Sequence, residues 1–413
     1  MSKKVLIMSA STGGGHNRAA KAIQEEIINK KVNGENIECK IIDSLKLVNT
    51  FMDKIISRGY EKSAMYTPEA YGSMYRLSET DLISKNEFKD NPITSLMARK
   101  FKTLLKEEKP DLIIGTHPFP MIALSKMKKA SNIKKNEELY REMHPDEVPS
   151  YFHWVDNTLE IPPLMSILTD YTTHSTWIQN EIDYYIVGHE YVKRLLVSEG
   201  VESEKVKPFG IPVEKSFLNH REKDVILEEL GFDPSKRVIL LIGGSFGAGN
   251  IKDTLEELIA IDRDFQILVV AGRNKSLKEK LDKRLEEGTN GKNIKVLGFT
   301  NIMNDILSAV DFIITKPGGL TTTESLLKGV PMIIPYYIPG QEGENLDFLT
   351  NCGAAIRITK KYTISVALSV LLDYPERIEL LKRNIDSIKK VDSAQNIASL
   401  VENILTENDN EDN

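Results

Sequence analysis

The chain is short of the features that mark export, membrane insertion or redox chemistry. Its two cysteines, Cys39 and Cys352, form neither a metal-ligand spacing nor a disulfide framework, which fits a reducing cytoplasm. No apolar run approaches the ~20 residues needed to span a bilayer. The amino terminus enters an apolar strand at once (KKVLIMSAS), so no signal peptide is expected. No nucleic-acid motif is present. Asp262-Arg263-Asp264 is the one Asp-x-Asp, and it precedes a strand instead of following one, so it reads as surface and not as a metal site. What remains is a globular α/β protein of 413 residues, 41% hydrophobic and 28% charged, long enough for two ordinary domains.

Charge is unevenly spread. The net charge is −6, yet residues 1–135 carry 24 Lys and Arg against 15 Asp and Glu, and the remainder carries 30 against 45. A basic amino-terminal region on an acidic protein suggests an anionic surface as partner, membrane lipid or nucleic acid, with no motif supporting the second; a solvated lysine-rich surface is the alternative that charge counts leave open.

The most informative stretch is 311–345, DFIITKPGGLTTTESLLKGVPMIIPYYIPGQEGEN. The apolar run Phe312–Thr315 ends in the turn Lys316-Pro317-Gly318-Gly319. Helical composition follows to Lys328, Gly329 stands where a helix C-cap belongs, and Val330–Pro335 is the next strand. A helix that starts on glycines after a strand leaves its first N–H groups open, which makes an anion site. Three threonines add hydroxyl donors, and Glu324 suits ribose hydroxyls. The polarity of IPGQEGEN predicts a loop whose amides and carboxylates suit a sugar. Together these favour a nucleotide-sugar site over an ordinary tight turn.

A second glycine turn follows the first strand, Val5–Ser9, in the run Ser11-Thr12-Gly13-Gly14-Gly15-His16-Asn17. It is no G-x-G-x-x-G fingerprint, because an imidazole stands at the helix start. There the positive end of the dipole favours neutral histidine, the form a general base needs. Leu47, Val48, Phe51, Met52, Ile55 and Ile56 make an amphipathic stripe, read as a helix packed on the sheet. Residues 60–76, rich in tyrosine beside Arg58, Lys62 and Arg76, suit an interfacial or lipid-acceptor segment. Residues 131–160 read as an insertion without clear period.

The β–α alternation restarts after the linker-like Pro208–Val213. Two doubly wound domains follow, residues 1–210 and 211–390, with a carboxy-terminal helix and an acidic, disordered tail at 391–413. Ligands in such sheets bind beyond the carboxyl ends of the strands, so the site is expected in a cleft between the domains.

GGGHNRAA, THPFP, LTDYTTHSTW, FGIPV, GGSFGAGN, GRN, GFTN and TKPGGLTTTESLLKGVPMIIPYYIPGQEGEN occur in this order across nearly the whole chain. The set resembles the monogalactosyldiacylglycerol synthase and processive diacylglycerol glucosyltransferase group of glycosyltransferase family 28. The resemblance implies a GT-B fold and inverting transfer of a hexose from UDP-glucose or UDP-galactose to diacylglycerol or a glycosyl-diacylglycerol, without cofactor or metal. It also implies a cytoplasmic protein held peripherally on the inner face of the membrane. Carried onto this chain, it makes His16 the base and Asp170 its orienting or sharing partner. Gly14, Gly15, His117, Tyr171, His174 and Trp177 line the acceptor side. Gly298 and Phe299 hold the uracil with Arg273 and Ser245 nearby, Gly318, Gly319 and Thr321 take the diphosphate, and Glu324 takes the ribose. Gln341, Glu342 and Asn345 face the donor sugar. The insertion departs from the family pattern in the acceptor half. Rival readings are an N-acetylglucosamine transferase acting on an undecaprenyl-linked peptidoglycan precursor, a UDP-sugar epimerase, and a non-catalytic membrane-binding module. PGQEGEN and TDYTTH favour the glycerolipid group over the first. The apolar segment 44–80 argues against the epimerase, and the nucleotide loops argue against the binding module.

Overall fold

A computed structural model describes residues 2–10, 14–48, 92–136, 159–243 and 251–411. All but the start of the stripe at 47–56, the segment 60–76, most of 131–160 and the loop carrying Ser245 lie outside the described residues. The chain divides into two compact units, Met1–Glu214 with Asp392–Asn413, and Lys215–Val391.

The first unit is built on six parallel strands: β1 (Lys4–Ser9), β2 (Glu38–Asp43), β3 (Leu112–Gly115), β4 (Leu164–Ile167), β5 (Tyr184–Ile186) and β6 (Val206–Lys207). Their order is β2-β1-β3-β4-β5-β6. β1, β3 and β4 are almost continuous apolar runs because helices cover both faces of such a sheet. Burying each Val, Leu or Ile contributes roughly 1.5–3 kcal/mol. One face packs Leu6, Ile113, Phe101 and Met127 together, and the other packs Val5, Ile7, Ile114 and Met165. The helix α1 (Gly15–Ile27) lays Ala20, Ile23 and Ile27 on that second face. α2 (Pro118–Lys135) follows β3, and α3 (Glu190–Ser198) follows β5.

The second unit repeats the plan with β7 (Val238–Ile242), β8 (Gln266–Val270), β9 (Ile294–Leu297), β10 (Phe312–Ile314), β11 (Met332–Ile334) and β12 (Ala355–Arg357). Their order is β9-β8-β7-β10-β11-β12. α4 (Gly319–Leu327) follows β10, and α5 (Gln341–Asn351) follows β11. Gly329, at φ 68°, closes α4 as the sequence predicts. Both sheets reverse direction beside their first strand, between β1 and β3 and between β7 and β10, and at such a switch point the strand ends open a crevice for ligand.

The structure differs from expectation in three places. Gln341 opens a helix, not a loop, because Gly340 takes φ 111° to turn the chain and Leu346 and Leu349 anchor the new helix in the core. The carboxy-terminal segment forms α6 (Ser393–Glu411), which runs through most of the acidic tail. It belongs by contact to the first unit: Ile397, Val401 and Leu405 recur at helical spacing and pack with Ile23 and Ile27, while Lys30 pairs with Glu402 at 2.9 Å. Third, α2 continues to Lys135, into the stretch read as an insertion.

Candidate active site

In the first unit the site is built around His16. Ser9, the last residue of β1, donates its hydroxyl to Asn17 Oδ1 at 2.6 Å and ties the helix start to the strand. Gly14 is the N-cap of α1, and a Cβ there would meet nothing within 4 Å among the described residues. Gly15 is the first helical residue. His16 Nδ1 lies 2.6 Å from the Thr116 carbonyl at the end of β3. A carbonyl only accepts, so Nδ1 carries the ring proton and Nε2 is left with its lone pair. Thr169 Oγ1 stands 3.2 Å from the same Nδ1.

His117 meets the His16 ring edge to face, centroids 4.8 Å apart. It is the N-cap of α2, its Nδ1 accepting from the Phe119 N–H at 3.2 Å, with Pro118 in the first turn. His117 therefore keeps its own proton on Nε2. Burial disfavours the charged form of both rings. His16 retains some exposed surface, but burial of its ring is the main influence and lowers its pKa, opposed by the Asp170 charge and the Thr116 carbonyl. For His117, burial first and then the His16 charge push the pKa well below the usual range.

Asp170 is half-buried, and its charge reaches His16. The other acceptor-side residues have structural work. Tyr171 is buried and packs on Gly188, where a Cβ would lie 3.1 Å from its ring. His174 is buried and caps the short helix Ser175–Trp177, its Nδ1 taking the Thr176 N–H at 3.2 Å. Trp177 is buried in the core beside Leu124 and Tyr185. Thr116 and Thr169, which hold the His16 ring, are absent from the sequence-based set. The available signal is that each stands just past a buried strand, next to His117 and Asp170.

In the second unit the turn Thr315–Gly318 leads into α4. Gly318 is its N-cap with no side-chain cap, and the first return bond is Thr322 N–H to the Gly318 carbonyl at 2.9 Å. The N–H groups of Gly319, Leu320 and Thr321 have no partner within the helix. Of the three threonines only Thr321 keeps exposed surface. Thr322 is buried, and Thr323 turns its hydroxyl back to the Gly319 carbonyl at 2.8 Å. The expectation of three hydroxyl donors is thus corrected to one. Glu324 is buried within α4. Asn345 is fully buried and donates to the Pro317 carbonyl at 2.9 Å, so it braces the turn from behind and is not open to a sugar.

Gln341 is half-buried at the start of α5. Glu342 is paired with Lys316, which the sequence marks only as part of the turn, and accepts the Ile338 N–H at 2.9 Å. After β9, Phe299 stands 61% exposed beyond Gly298, with the Arg273 guanidinium 5.1 Å from its ring centroid. An exposed ring backed by a cation suits the face of a planar base. Among the described residues no three His, Cys, Asp or Glu side chains are grouped to hold a metal ion. Asp262, Arg263 and Asp264 are exposed, with Arg263 paired to Asp373 and Asp264 to Lys236.

Comparison with known proteins places the chain. Residues 16–136 and 144–213 match the family model described as monogalactosyldiacylglycerol (MGDG) synthase, and residues 238–400 match the glycosyltransferase family 28 C-terminal domain. Of the stretch read as an insertion, residues 131–136 and 144–160 fall inside the matched ranges. The chain is 31% identical to the processive diacylglycerol beta-glucosyltransferase of Bacillus pumilus (strain SAFR-032), covering 98% of this chain and 96% of that one. It is 29% identical to that of Bacillus subtilis (strain 168), with the same coverage. The crystal structure of Acinetobacter baumannii MurG superposes with TM-score 0.60 at 16% identity, over 97% of this chain and 99% of that one. A UDP-N-acetylglucosamine 2-epimerase superposes with TM-score 0.56 at 13% identity, over 99% and 97%. At such identities these last two speak for the fold, which is GT-B. The chain is a glycosyltransferase, a member of the family 28 group that holds the monogalactosyldiacylglycerol synthases and the processive diacylglycerol glucosyltransferases.

Proposed function

We propose that the chain transfers a hexose from a UDP-sugar to the hydroxyl of diacylglycerol, or of a glycosyl-diacylglycerol, with inversion and without a metal. The observation that carries this reading is the tautomer of His16: the Thr116 carbonyl holds the ring proton on Nδ1 and leaves Nε2 as a base. In the reaction Nε2 takes the proton of the acceptor hydroxyl as its oxygen bonds to the anomeric carbon. The bond from that carbon to the diphosphate breaks, and its electron pair leaves with UDP. Asp170 stabilises the imidazolium formed on His16. The leaving diphosphate is received by the open N–H groups of α4 and by Thr321. Arg273 and Phe299 take the uracil, and Glu324 takes the ribose.

The names of the relatives favour UDP-glucose over UDP-galactose as donor. Among the described residues no helix is long and apolar enough to cross a membrane, and the basic excess of residues 1–135 supports peripheral binding to an anionic inner leaflet. The test is product analysis with purified protein, diacylglycerol vesicles containing anionic lipid, and each UDP-sugar separately. A glycosylated diacylglycerol from UDP-glucose is expected. No lipid product from either donor, with UDP still bound, would overturn the acceptor, and an altered free UDP-sugar would point to epimerisation.

A further inference from the structure

We propose that Lys316 is the cation that receives the donor's diphosphate, and that Glu342 keeps this lysine in place by standing in for the anion when no donor is bound. The proposal rests on the UDP-sugar reading of the second unit. Lys316 lies in the turn after β10, and Glu342 in the first turn of α5; their side chains form an ion pair. Glu342 Oε1 lies 3.9 Å from where a Cβ on Gly318 would be, so the carboxylate stands beside the glycine at which α4 begins. A side-chain anion thus already occupies the ground that a diphosphate needs.

The two partners are held differently. The second oxygen of Glu342 accepts the Ile338 N–H at 2.9 Å, in a loop whose turn depends on the positive φ of Gly340, so the carboxylate is fixed by backbone. Lys316 is a point charge on a flexible stem and can change partners. Their side chains keep 20% and 14% of their surface, so the pair is within reach of a solute and is not sealed in the core. A diphosphate competes for Lys316 with more charge than one carboxylate, and on binding it leaves Glu342 nearby as a like charge. That repulsion acts more strongly on UDP, whose terminal phosphate is more highly charged, than on the UDP-sugar. Glu342 then favours release of the product over release of the substrate.

This differs in sign from a role for Glu342 in holding the donor sugar. Calorimetric titration of the full chain with uridine, UDP and UDP-glucose separates the two. Lys316→Met is expected to weaken UDP at least about tenfold, with uridine within about twofold, and Lys316→Arg to restore most of the loss. Glu342→Gln is expected to tighten UDP about threefold or more, and UDP-glucose by less. The double variant should bind UDP more tightly than Lys316→Met alone, because no lone carboxylate remains. If Lys316→Met fails to fold, as thermal unfolding would show, the Glu342→Gln titration decides. Unchanged UDP affinity in Lys316→Met, or weaker UDP-glucose with unchanged UDP in Glu342→Gln, overturns the proposal alone. Absence of UDP binding by the native chain overturns the UDP-sugar reading and this proposal with it.

Discussion

The loop after β1 and the loop after β10 begin from similar material. Each follows a buried apolar strand, and each leads to a helix that starts on glycine beside the switch point of its sheet. They diverge in what the helix start carries. The first presents an imidazole pinned by a neighbouring strand's carbonyl; the second presents open N–H groups with a lysine–carboxylate pair alongside. On the proposed reading, one plan is fitted once for removing a proton and once for receiving an anion. The glycines give access, and the chemistry comes from the residue beside them and from what the next strand supplies to it.

The strongest way to break this contrast is His16→Ala. It removes the base and nothing from the second unit. Turnover is expected to fall by about 10²–10⁴ while UDP affinity stays within about twofold. Loss of both together would remove the base assignment. Glu324→Ala is the reciprocal test and should weaken UDP about tenfold with little further loss of turnover at saturating donor. Because Glu324 is buried, Glu324→Gln serves where the alanine variant does not fold.

Acid should act on the first unit. His16 and His117 have folded pKa values lowered by burial, while in the unfolded chain each titrates near 6.5. Below about pH 6.5 the unfolded chain therefore binds more protons than the folded one, and stability is lost as pH falls. The acid limb of kcat/KM should lie below the ordinary imidazole value, because neutral His16 is the active form. His117→Asn keeps an N-cap acceptor and removes one buried imidazole, so the loss of Tm between about pH 6.5 and 5 should flatten. An unchanged slope would show that His117 is not held neutral by burial.

Much of this layout can be read from the chain. Val5–Ser9 and Phe312–Thr315 are read to within one residue of β1 and β10, and Gly329 is read as the stop of α4, because glycine stands where the backbone turns. His16 and the Gly318–Gly319 turn are legible for the same reason: special residues sit at strand ends. What escapes is contact over long separations. The Thr116 carbonyl is 100 residues from the ring it orients, and a backbone acceptor has no residue signature. Residue type also misleads where burial decides use. Asn345, His174 and Trp177 have the chemistry of ligand-binding groups, yet one braces a turn, one caps a helix and one fills the core. QEGEN is polar enough to predict a loop, and only the later Leu346 and Leu349 supply the apolar face that makes it the start of a helix.

The smallest effects test whether backbone or side chains hold the base. Two threonines flank His16, and they are not equivalent. Thr169 places its hydroxyl oxygen 3.2 Å from Nδ1 as a second, weaker acceptor, whereas Thr116 accepts with its carbonyl, and its own hydroxyl is buried with no hydrogen-bond partner among the described residues. Thr169→Val should remove one weak contact and lower kcat/KM about fivefold, with the midpoint of the acid limb shifted. Thr116→Val keeps the carbonyl and replaces an unsatisfied hydroxyl by a methyl of similar volume, which relieves a desolvation cost. Its activity should stay within about twofold and its Tm should hold or rise. If Thr116→Val instead matched or exceeded the Thr169→Val defect, the ring would depend on a side chain at residue 116, and the tautomer argument for His16 would lose its footing.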